Sequence, residues 1–384
     1  MRRILIIMGR YLPGYKDGGP VRSIKNLVDS LGTEYEFHIL TCDRDHGDTV
    51  PYDGIKKGGY DRVGNALVYY TEPGGFTREL IIKLSEDADM IYLCGCFNDY
   101  ARTTLGLKKK GSIRIPVAVA SMGLFSPREF HIKYPKKKAF VMLYNVTGRF
   151  DDIYWSCSSE REWKDVQGQI RTHGNHFIAR DLPRRVDTAN ISKEKAAGEL
   201  KLFFIGRISQ VKNLLGAAKT LEHVHGKVRF TIYGAAQDKE YWGQCKAVLD
   251  SLPKNISWEW AGELPSEQVV DTLKKEDVLL LPSMGENYGH AIQEALSAGC
   301  PCVISDQTSW DKLEENGCGF ECHTDDYLGM AEHIDEYAKM DNEQFAKCVD
   351  RAHDYAVKVS NGSEAKEQYR IMFDSLIKGD ADRK

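Results

Sequence analysis

The sequence predicts an α/β protein made of two doubly wound, Rossmann-like domains, and three observations lead to this fold class. The chain has 384 residues, more than one hydrophobic core normally serves. Short apolar runs alternate with segments of helical periodicity, the pattern of βα units in a parallel sheet. A polar stretch at residues 181–199 interrupts this alternation, which then restarts. We therefore expect domains at residues 1–180 and 181–362, and a C-terminal helix within 363–384 that packs back on the first domain.

The start of the chain shows the pattern of one βα unit. Residues 4–8 are all apolar, as expected for a strand covered on both faces. Apolar side chains then recur at helical spacing from Val21 to Leu31, with Pro20 and Gly32 placed where a helix commonly begins and ends. The same criteria predict helices from residue 327 onward and further strands at residues 37–41, 66–70, 90–94, 117–120, 153–156, 200–205, 228–233, 256–260, 278–281 and 301–304.

The composition restricts the class of function. Hydrophobic residues make up 42% and charged residues 28% of the chain, which are ordinary values for a folded globular protein. The formal net charge of −4 provides no general attraction to nucleic acid, so no nucleic-acid partner is expected. The apolar run at residues 4–8 is too short for the core of a signal peptide. We therefore expect a cytoplasmic protein whose ten cysteines stay reduced.

The most informative segment covers residues 279–303. An apolar strand enters a glycine-rich loop, and a helix of small and apolar residues begins near His290. The first N–H groups of a helix lack intrahelical partners and attract anions such as a diphosphate. Glu286 and Glu294 bracket this turn, eight residues apart. Considered without their setting, the two glutamates are interpreted as solvated charges. Beside a phosphate site, they are interpreted as hydrogen-bond acceptors for the hydroxyls of a nucleotide sugar.

The segment Glu286-Asn-Tyr-Gly-His-Ala-Ile-Gln-Glu294 resembles the Glu-x7-Glu signature of retaining family-4 glycosyltransferases. These enzymes have the GT-B fold, in which two Rossmann-like domains face each other across a cleft. The resemblance implies that Glu286 and Asn287 bind the donor sugar, and that Glu294 binds the ribose of the nucleotide. It also implies backbone contacts to the phosphates from Tyr288, Gly289, His290 and Ala291.

A second motif, Phe204-Ile-Gly-Arg-Ile-Ser-Gln-Val-Lys-Asn213, follows the first strand of the second half. Arg207 offers a planar fork of donors and Lys212 a point charge, and both suit a diphosphate. Without their setting, the two residues are as well explained as ordinary surface residues of a loop. Their spacing resembles the Gly-Arg-x4-Lys element of the same family. The resemblance implies that Arg207, Lys212 and Glu286 act in catalysis, the two cations by stabilising charge on the departing nucleoside diphosphate.

Fixed cations of this kind remove the need for a divalent metal. One Asp-x-Asp spacing, Asp43-Arg-Asp45, lies in the first half and is interpreted as part of an ordinary loop. Cys94-Gly-Cys96 and Cys300-Pro-Cys302 do not have the spacing of a zinc site. We therefore expect neither a metal nor another cofactor.

Weaker elements extend the predicted site. The resemblance implies a nucleobase subsite at the ends of two strands: Tyr233, Gly262, Glu263 and Leu264. The base is uridine, guanosine or adenosine, of which uridine is the commonest in the family. Gly18 and Gly19 precede a helix, where they form either a plain tight turn or a loop that approaches the donor. Asp99 and His131 are candidate acceptor contacts. Where many relatives have a His that contacts the donor sugar, this chain has Met122, which leaves the sugar preference open.

These observations favour a metal-independent transferase of the cell envelope that moves a sugar, most commonly from a UDP-sugar, to a surface glycan or lipid-linked saccharide with retention of configuration. The alternatives are a GT-B epimerase of nucleotide sugars and, because of Met122, a catalytically silent sugar-nucleotide-binding protein. The lysine run at residues 136–138 lies among aromatic and aliphatic residues. It is interpreted as a solvated face or as a patch for peripheral contact with an anionic membrane.

Overall fold

The structure is a computed structural model that describes residues 1–171 and 175–381, with side chains described up to residue 379. Residues 172–174 of the predicted first domain and residues 382–384 of the predicted C-terminal segment lie outside the described residues. None of the helices in the described ranges combines the length and the apolar character needed to cross a bilayer.

The chain divides into two compact units. One contains residues 1–182 together with the segment from Ser363 onward, and the other contains residues 183–362. The division falls two residues after the sequence-based boundary between 180 and 181.

The first unit is built on a sheet whose strands are β1 (Arg2–Ile7), β2 (Tyr35–Cys42), β3 (Tyr60–Val63), β4 (Ala66–Thr71), β5 (Met90–Cys94), β6 (Val117–Ala120), β7 (Tyr154–Cys157) and β8 (His176–Ile178). Their order is β3-β4-β2-β1-β5-β6-β7-β8. The pairs are parallel apart from the antiparallel edge pair β3 and β4. The helices that follow these strands are α1 (Gly19–Leu31), α2 (Arg78–Glu86), α3 (Asp99–Lys109), α4 (Pro127–His131), α5 (Tyr134–Val146) and α6 (Glu160–Gln167).

Strand β1 shows why the first strand reads as an unbroken apolar run. Its alternate residues belong to two different hydrophobic cores, Leu5 and Ile7 on one face of the sheet and Ile4 and Ile6 on the other. Since helices cover both faces, neither set of side chains meets water.

The second unit contains the strands β9 (Glu199–Ile205), β10 (Lys227–Tyr233), β11 (Ile256–Gly262), β12 (Val278–Leu281), β13 (Cys302–Ser305) and β14 (Gly319–Cys322). All neighbours are parallel, in the order β11-β10-β9-β12-β13-β14. The helices are α7 (Leu214–Leu221), α8 (Lys239–Leu249), α9 (Val269–Leu273), α10 (His290–Ser297), α11 (Tyr327–Lys339) and α12 (Asn342–Ser360). Because the strand order reverses between β9 and β12, the switch point where open α/β sheets bind ligands lies between these two strands.

The last helix, α13 (Glu364–Ala381), follows the second unit in sequence but packs within the first. Phe373 is fully buried and meets the rings of Tyr35 and Tyr92 edge-on, with centroids 5.3 and 6.0 Å apart. At the surface, Arg370 pairs with Glu34 at 2.7 Å. Aromatic packing therefore fixes the inner face of α13, and an ion pair holds its rim.

The structure confirms the α/β fold class with two doubly wound sheets, and a strand lies at each of the predicted apolar runs. It also contains β3, β8 and β14, which the sequence analysis missed. These strands are three or four residues long and mix apolar with polar side chains, so they carry neither an apolar run nor a clear alternation.

We expect Phe373→Ala to lower the free energy of unfolding by about 3–5 kcal/mol, because it removes a buried ring from a closely packed core. Ile371→Ala on the same helix is the matched control; its side chain is 53% exposed, so its effect should stay within about 0.5 kcal/mol. Denaturant unfolding measures both values. Equal losses in the two variants would contradict the docking of α13 described here.

Candidate functional site

The candidate site begins where two neighbouring strands end. Strands β9 and β12 run in parallel, with Phe203 opposite Leu279. The segments that follow them, residues 206–213 (the β9 loop) and residues 282–289 (the β12 loop), therefore leave the sheet at the same edge. The sequence analysis placed its two main motifs in these loops, and the fold brings the loops together.

Backbone hydrogen bonds join the two loops directly. The carbonyl oxygen of Val211 accepts from the Met284 N–H at 2.7 Å and from the Ser283 hydroxyl at 3.1 Å. The Asn213 side-chain amide donates to the Pro282 carbonyl oxygen at 2.9 Å. Buried polar groups that find partners in this way stabilise one arrangement of the chain. The relative position of the loops is therefore set by hydrogen bonds to the Val211 and Pro282 carbonyl oxygens.

An ion pair spans the joined loops. Lys212 Nζ lies 2.5 Å from Glu286 Oε1, and the side chains are 22% and 8% exposed. The Glu286 N–H donates to the Gln307 carbonyl oxygen at 3.1 Å, which fixes the backbone beneath the carboxylate. The stem of Lys212 passes beside Gly206, since a Cβ added there would lie 3.5 Å from its Cγ and Cδ. A positive and a negative group are thus held side by side at the switch point.

Arg207 adds a second cation at the same edge. It follows Gly206 directly after β9, and its side chain is exposed to solvent. A guanidinium offers a planar fork of donors that suits two oxygens of a phosphate at once. The cations therefore differ in setting, because Lys212 is paired and partly buried whereas Arg207 faces water.

The start of α10 is shaped by Gly289 and Trp310. Gly289 has a φ of 81°, and a Cβ there would lie 3.0 Å from Ile292 Cδ1 and 3.2 Å from the Trp310 ring. The Tyr288 carbonyl oxygen accepts from the Trp310 indole N–H at 2.6 Å and from the Ser309 hydroxyl at 3.2 Å. These contacts fix the turn that leads into the helix, whose first N–H groups have no intrahelical acceptor.

Helix α10 itself is buried along its whole length. Glu294 is 3% exposed, so it is not a solvated helix charge, and Glu286 is not a solvated loop charge either. The side chain of Gln293 anchors the helix by bonding both backbone groups of Arg184, at 3.0 and 2.8 Å. Burying a carboxylate costs free energy. We therefore expect each of the two glutamates to lie beside a cation or a hydrogen-bond donor.

Glycines end three consecutive strands at this edge. The Gly206 N–H donates to the Tyr233 carbonyl oxygen at 3.0 Å, and the Gly234 N–H donates to the Gly262 carbonyl oxygen at 2.7 Å. A Cβ at Gly234 would lie 1.8 Å from the Gly206 carbonyl oxygen, so only glycine permits this approach. Backbone groups therefore lie close together at the edge next to Arg207, and the exposed Trp260 indole N–H donates to the Gly234 carbonyl oxygen at 2.9 Å.

The predicted nucleobase residues occupy different environments. The ring of Tyr233 is buried, and its hydroxyl donates to Glu276 Oε1 at 2.8 Å. Burial raises the pKa of both the Tyr233 hydroxyl and the Glu276 carboxyl. Glu263 is exposed, and Leu264 packs against the core of the unit. A nucleobase at this edge would therefore meet the backbone of Tyr233 and not its ring.

Comparisons with known proteins agree with this arrangement. Residues 187–354 match the family described as glycosyl transferases group 1. The chain is 25% identical over 189 residues to the poly(glycerol-phosphate) alpha-glucosyltransferase of Bacillus subtilis, covering 47% of this chain and 26% of that protein. It is 24% identical over 147 residues to the glycogen synthase of Mycobacterium tuberculosis, covering 36% of this chain and 34% of that protein. The chain thus spans about a third or less of the length of these relatives.

Solved structures match over nearly the whole chain. Anabaena Alr3699/HepE in complex with UDP and glucose superposes with a TM-score of 0.68 at 14% identity, covering 98% of this chain and 100% of that one. Sucrose-phosphate synthase from Thermosynechococcus elongatus gives 0.69 at 12% identity, covering 99% and 100%. The chain has the GT-B fold. The residues that match the family model include the β9 loop, the β12 loop and α10.

In the first unit of this GT-B chain, Gly18 has a φ of 65°, and a Cβ at Gly18 or Gly19 would meet nothing within 4 Å. The loop before them is held by Asp45, whose buried carboxylate accepts the N–H groups of Tyr15 and Lys16 at 2.8 and 3.1 Å. The sequence analysis assigned Asp43-Arg-Asp45 to an ordinary loop. In the structure, Asp45 of this loop holds the backbone of the segment that precedes Gly18.

The remaining predicted residues of the first unit lie after β5 and β6. Met122 has a φ of 48°, and the adjacent Gly123 N–H donates to Glu162 Oε1 at 2.5 Å. Asp99 is exposed at the first turn of α3 and pairs with Arg102. His131 is exposed at the end of α4, on a different element from Asp99. Their roles towards an acceptor stay predictions.

The sequence analysis missed the residues that hold the site together. These residues make hydrogen bonds in which at least one partner is a backbone group, so no motif of charged residues marks them. They are Val211, Ser283, Gln293 and Trp310. One signal was available, because Ser283 and Ser305 stand at the ends of two successive apolar strands. The Ser305 hydroxyl indeed donates to the Ser283 carbonyl oxygen. Among the described residues, no group of three or more His, Cys, Asp or Glu is placed to hold a metal ion, and the expectation of a metal-free site stays a prediction.

We expect Gly234→Ala to destabilise the protein by about 2–4 kcal/mol, since the new Cβ collides with a backbone oxygen that cannot move aside. Gly243→Ala in α8 is the control: a Cβ there has open space, so the substitution should stabilise by about 0.5–1 kcal/mol. Thermal or denaturant unfolding checks both. Similar stability of the two variants would refute the close approach of β9 and β10.

Proposed function

We propose that this protein is a retaining glycosyltransferase that moves a sugar from a UDP-sugar to a saccharide or lipid-linked saccharide in polysaccharide biosynthesis, without a metal cofactor. The observation that carries the proposal is the Lys212–Glu286 pair, 2.5 Å apart, at the switch point of the second sheet and beside the start of α10. A diphosphate needs cations, and a sugar needs hydroxyl acceptors. This pair offers one of each.

The diphosphate is bound by the two cations and the helix start. The N-terminus of a helix contributes only about 0.3–1 kcal/mol towards an anion, so it cannot neutralise a diphosphate alone. Lys212 has three N–H donors, and it can keep Glu286 while a second donor turns to a phosphate oxygen. Arg207, being exposed, can approach the same oxygens as a fork. The backbone of His290 and Ala291 completes the subsite.

The two glutamates take the hydroxyl groups on either side of the diphosphate. Glu286 uses Oε1 for Lys212, which leaves Oε2 to accept hydroxyls of the donor sugar, with Asn287 beside it. Glu294, one turn into α10, accepts the ribose hydroxyls. A site built to accept hydroxyls discriminates strongly against a ligand that lacks them, because the bound complex then has fewer hydrogen bonds.

The reaction then follows from the charges. The bond from the anomeric carbon to the diphosphate oxygen breaks, and a bond to the acceptor oxygen forms on the same face. The acceptor's proton passes to the departing phosphate oxygen, so no protein base is required. Lys212 and Arg207 stabilise the charge that grows on the diphosphate, and such preorganised groups supply much of the rate enhancement in enzymes.

The choice of UDP-glucose as the first donor to test has support from the comparisons. A structure with the same fold is a complex with UDP and glucose, and the curated relatives include a glucosyltransferase. The resemblance implies that Met122 replaces a His that contacts the donor sugar, so UDP-galactose and UDP-N-acetylglucosamine belong in the same panel.

We expect Glu286→Gln to lower kcat/KM by about 100-fold or more, because the donor sugar loses its charged acceptor in the transition state. UDP affinity should change less than threefold, since the diphosphate cations stay in place. Glu267→Gln is the control, an exposed carboxylate of the same unit that should leave the rate unchanged. UDP release measures the rate and calorimetry the affinity. Full activity of Glu286→Gln would overturn the proposed donor geometry.

We expect Arg207→Gln and Lys212→Met each to weaken UDP binding by about 10-fold or more, since charge-assisted hydrogen bonds to the diphosphate are lost. Arg229→Gln, which removes a surface cation paired with Glu259 at 2.8 Å, should bind UDP normally. Calorimetric titration gives the three affinities. If UDP binds but no donor in the panel ever releases UDP, the protein is a sugar-nucleotide-binding protein and not a transferase.

A further inference from the structure

Helix α5 in the first unit carries an apolar stripe on its solvent side. Ala139, Met142, Leu143 and Val146 are exposed, the last three by 59, 55 and 81%. Their spacing of three, four and seven residues from Ala139 places them on one face of a helix. We call these four residues the α5 outer face. Ile132, 50% exposed, lies just before the helix and extends the apolar character of this region.

The opposite side of α5 already satisfies the needs of the fold. Val141 and Tyr144 are buried in the core of the first unit, and Phe140 stacks on Tyr144 with ring centroids 3.9 Å apart. The helix is therefore anchored without the α5 outer face. Large apolar side chains that do not serve the core commonly mark a surface that binds another apolar phase.

Exposed cations lie at the head of this face, and Lys136 is the member of the lysine run at residues 136–138 that belongs to them. Lys137 donates to the Glu129 carbonyl oxygen and lies over the Phe97 ring, and Lys138 donates to Gln169 Oε1 at 3.2 Å. These two lysines are turned towards the protein. The sequence analysis interpreted residues 136–138 as a solvated face or as a membrane patch, and Lys136 is the exposed member of this run.

The cations that face solvent are Arg128, Lys133 and Lys136. Lys136 stands one turn before Ala139 in the same row of the helix, at the head of the α5 outer face. The segment 128–146 contains five Arg or Lys residues and a single acidic residue, Glu129, although the whole chain has a net charge of −4. A local positive field thus accompanies the exposed apolar stripe.

We propose that the α5 outer face docks on the surface of an anionic lipid bilayer, with the helix parallel to the membrane plane. Met142, Leu143 and Val146 would enter the boundary between headgroups and acyl chains, while Lys133 and Lys136 meet lipid phosphates. An amphipathic helix with cations on its rim has this mode of binding, whose strength depends on apolar area and on anionic lipid.

Charge and size favour a bilayer over a second copy of this chain. A two-fold interface brings identical surfaces together, so the cations of both copies would meet, which is repulsive. A stable protein interface also uses about 20–30 residues on each side, far more than one exposed helix face offers. A bilayer imposes neither requirement, since it supplies the opposite charge and an unlimited apolar phase.

The test is co-flotation of the full chain with vesicles of phosphatidylcholine mixed with phosphatidylglycerol, and with vesicles of phosphatidylcholine alone. Binding is expected to the mixed vesicles and to weaken as salt is raised, because salt screens the lysines. The triple variant M142S/L143S/V146S should lose at least about 10-fold in affinity. Its control, L328S/I371S, removes two apolar side chains that are 61% and 53% exposed on other helices and should bind normally.

The charge arm uses Lys133→Gln with Lys136→Gln. Each lysine near an anionic surface contributes about fivefold to binding, so this double variant should lose about 20-fold or more. Replacement of Lys246 and Lys347 by Gln is the control, because both are exposed on the other unit. Absence of binding to the mixed vesicles, or equal binding of the triple variant and its control, would overturn the proposal. So would self-association of the chain that the triple variant abolishes.

Vesicle binding needs no substrate, so this proposal and the proposed transferase function fail independently. If the protein binds UDP but not vesicles, the proposed membrane docking is wrong, while the proposed transferase function stands. Matching thermal unfolding of the variants and the unaltered protein is expected, because all replaced side chains are exposed, and it separates a binding defect from misfolding.

Discussion

The candidate site depends on the junction between the loops that follow β9 and β12. The Val211 carbonyl oxygen accepts two hydrogen bonds from the β12 loop, at 2.7 and 3.1 Å, and Lys212 reaches Glu286 from the next position in the chain. Parallel neighbours in a sheet end at the same edge, so the strand order alone makes the loops meet. The hydrogen bonds then fix their register, which determines where the cation and the carboxylate stand. Every role proposed for Arg207, Glu294 and the start of α10 presupposes this junction.

The second constraint is the close approach of backbone segments at the carboxyl edge of the second sheet. Gly206 and Gly234 let β9 and β10 end almost in contact, and Gly289 brings the turn before α10 against the Trp310 ring. The indole N–H of the exposed Trp260 donates to the Gly234 carbonyl oxygen at 2.9 Å, and the charged groups of the neighbouring loops are on Arg207, Lys212 and Glu286. The edge is thus suited to a ligand that needs hydrogen bonds from the backbone in its middle and charge at one end.

Much of the fold follows from the sequence, because several of its strands are buried on both faces. Residues 4–8 form one apolar run since helices cover both sides of β1, and the same reasoning applies to β5, β6, β12 and β13, which are buried throughout. The short strand β8 mixes polar and apolar residues and gives no such signal. In the site, the resemblance to family motifs grouped Glu286 with Glu294 and Lys212 with Arg207, and it did not predict the Lys212–Glu286 ion pair. It could not predict Val211, whose contribution comes from its carbonyl oxygen, nor that Tyr233 turns its ring to Glu276. The sequence likewise could not predict which lysines of α5 face solvent, because Lys137 and Lys138 are held by contacts with other segments of the chain.

The central claim is that the two joined loops and the start of α10 form one site for a nucleotide diphosphate. A crystal structure of the protein with UDP tests it most directly. The account predicts diphosphate oxygens within hydrogen-bonding distance of Arg207, Lys212 and the backbone N–H of Ala291, with the ribose beside Glu294. UDP bound elsewhere in the chain, without contact to the Lys212–Glu286 pair, would contradict it.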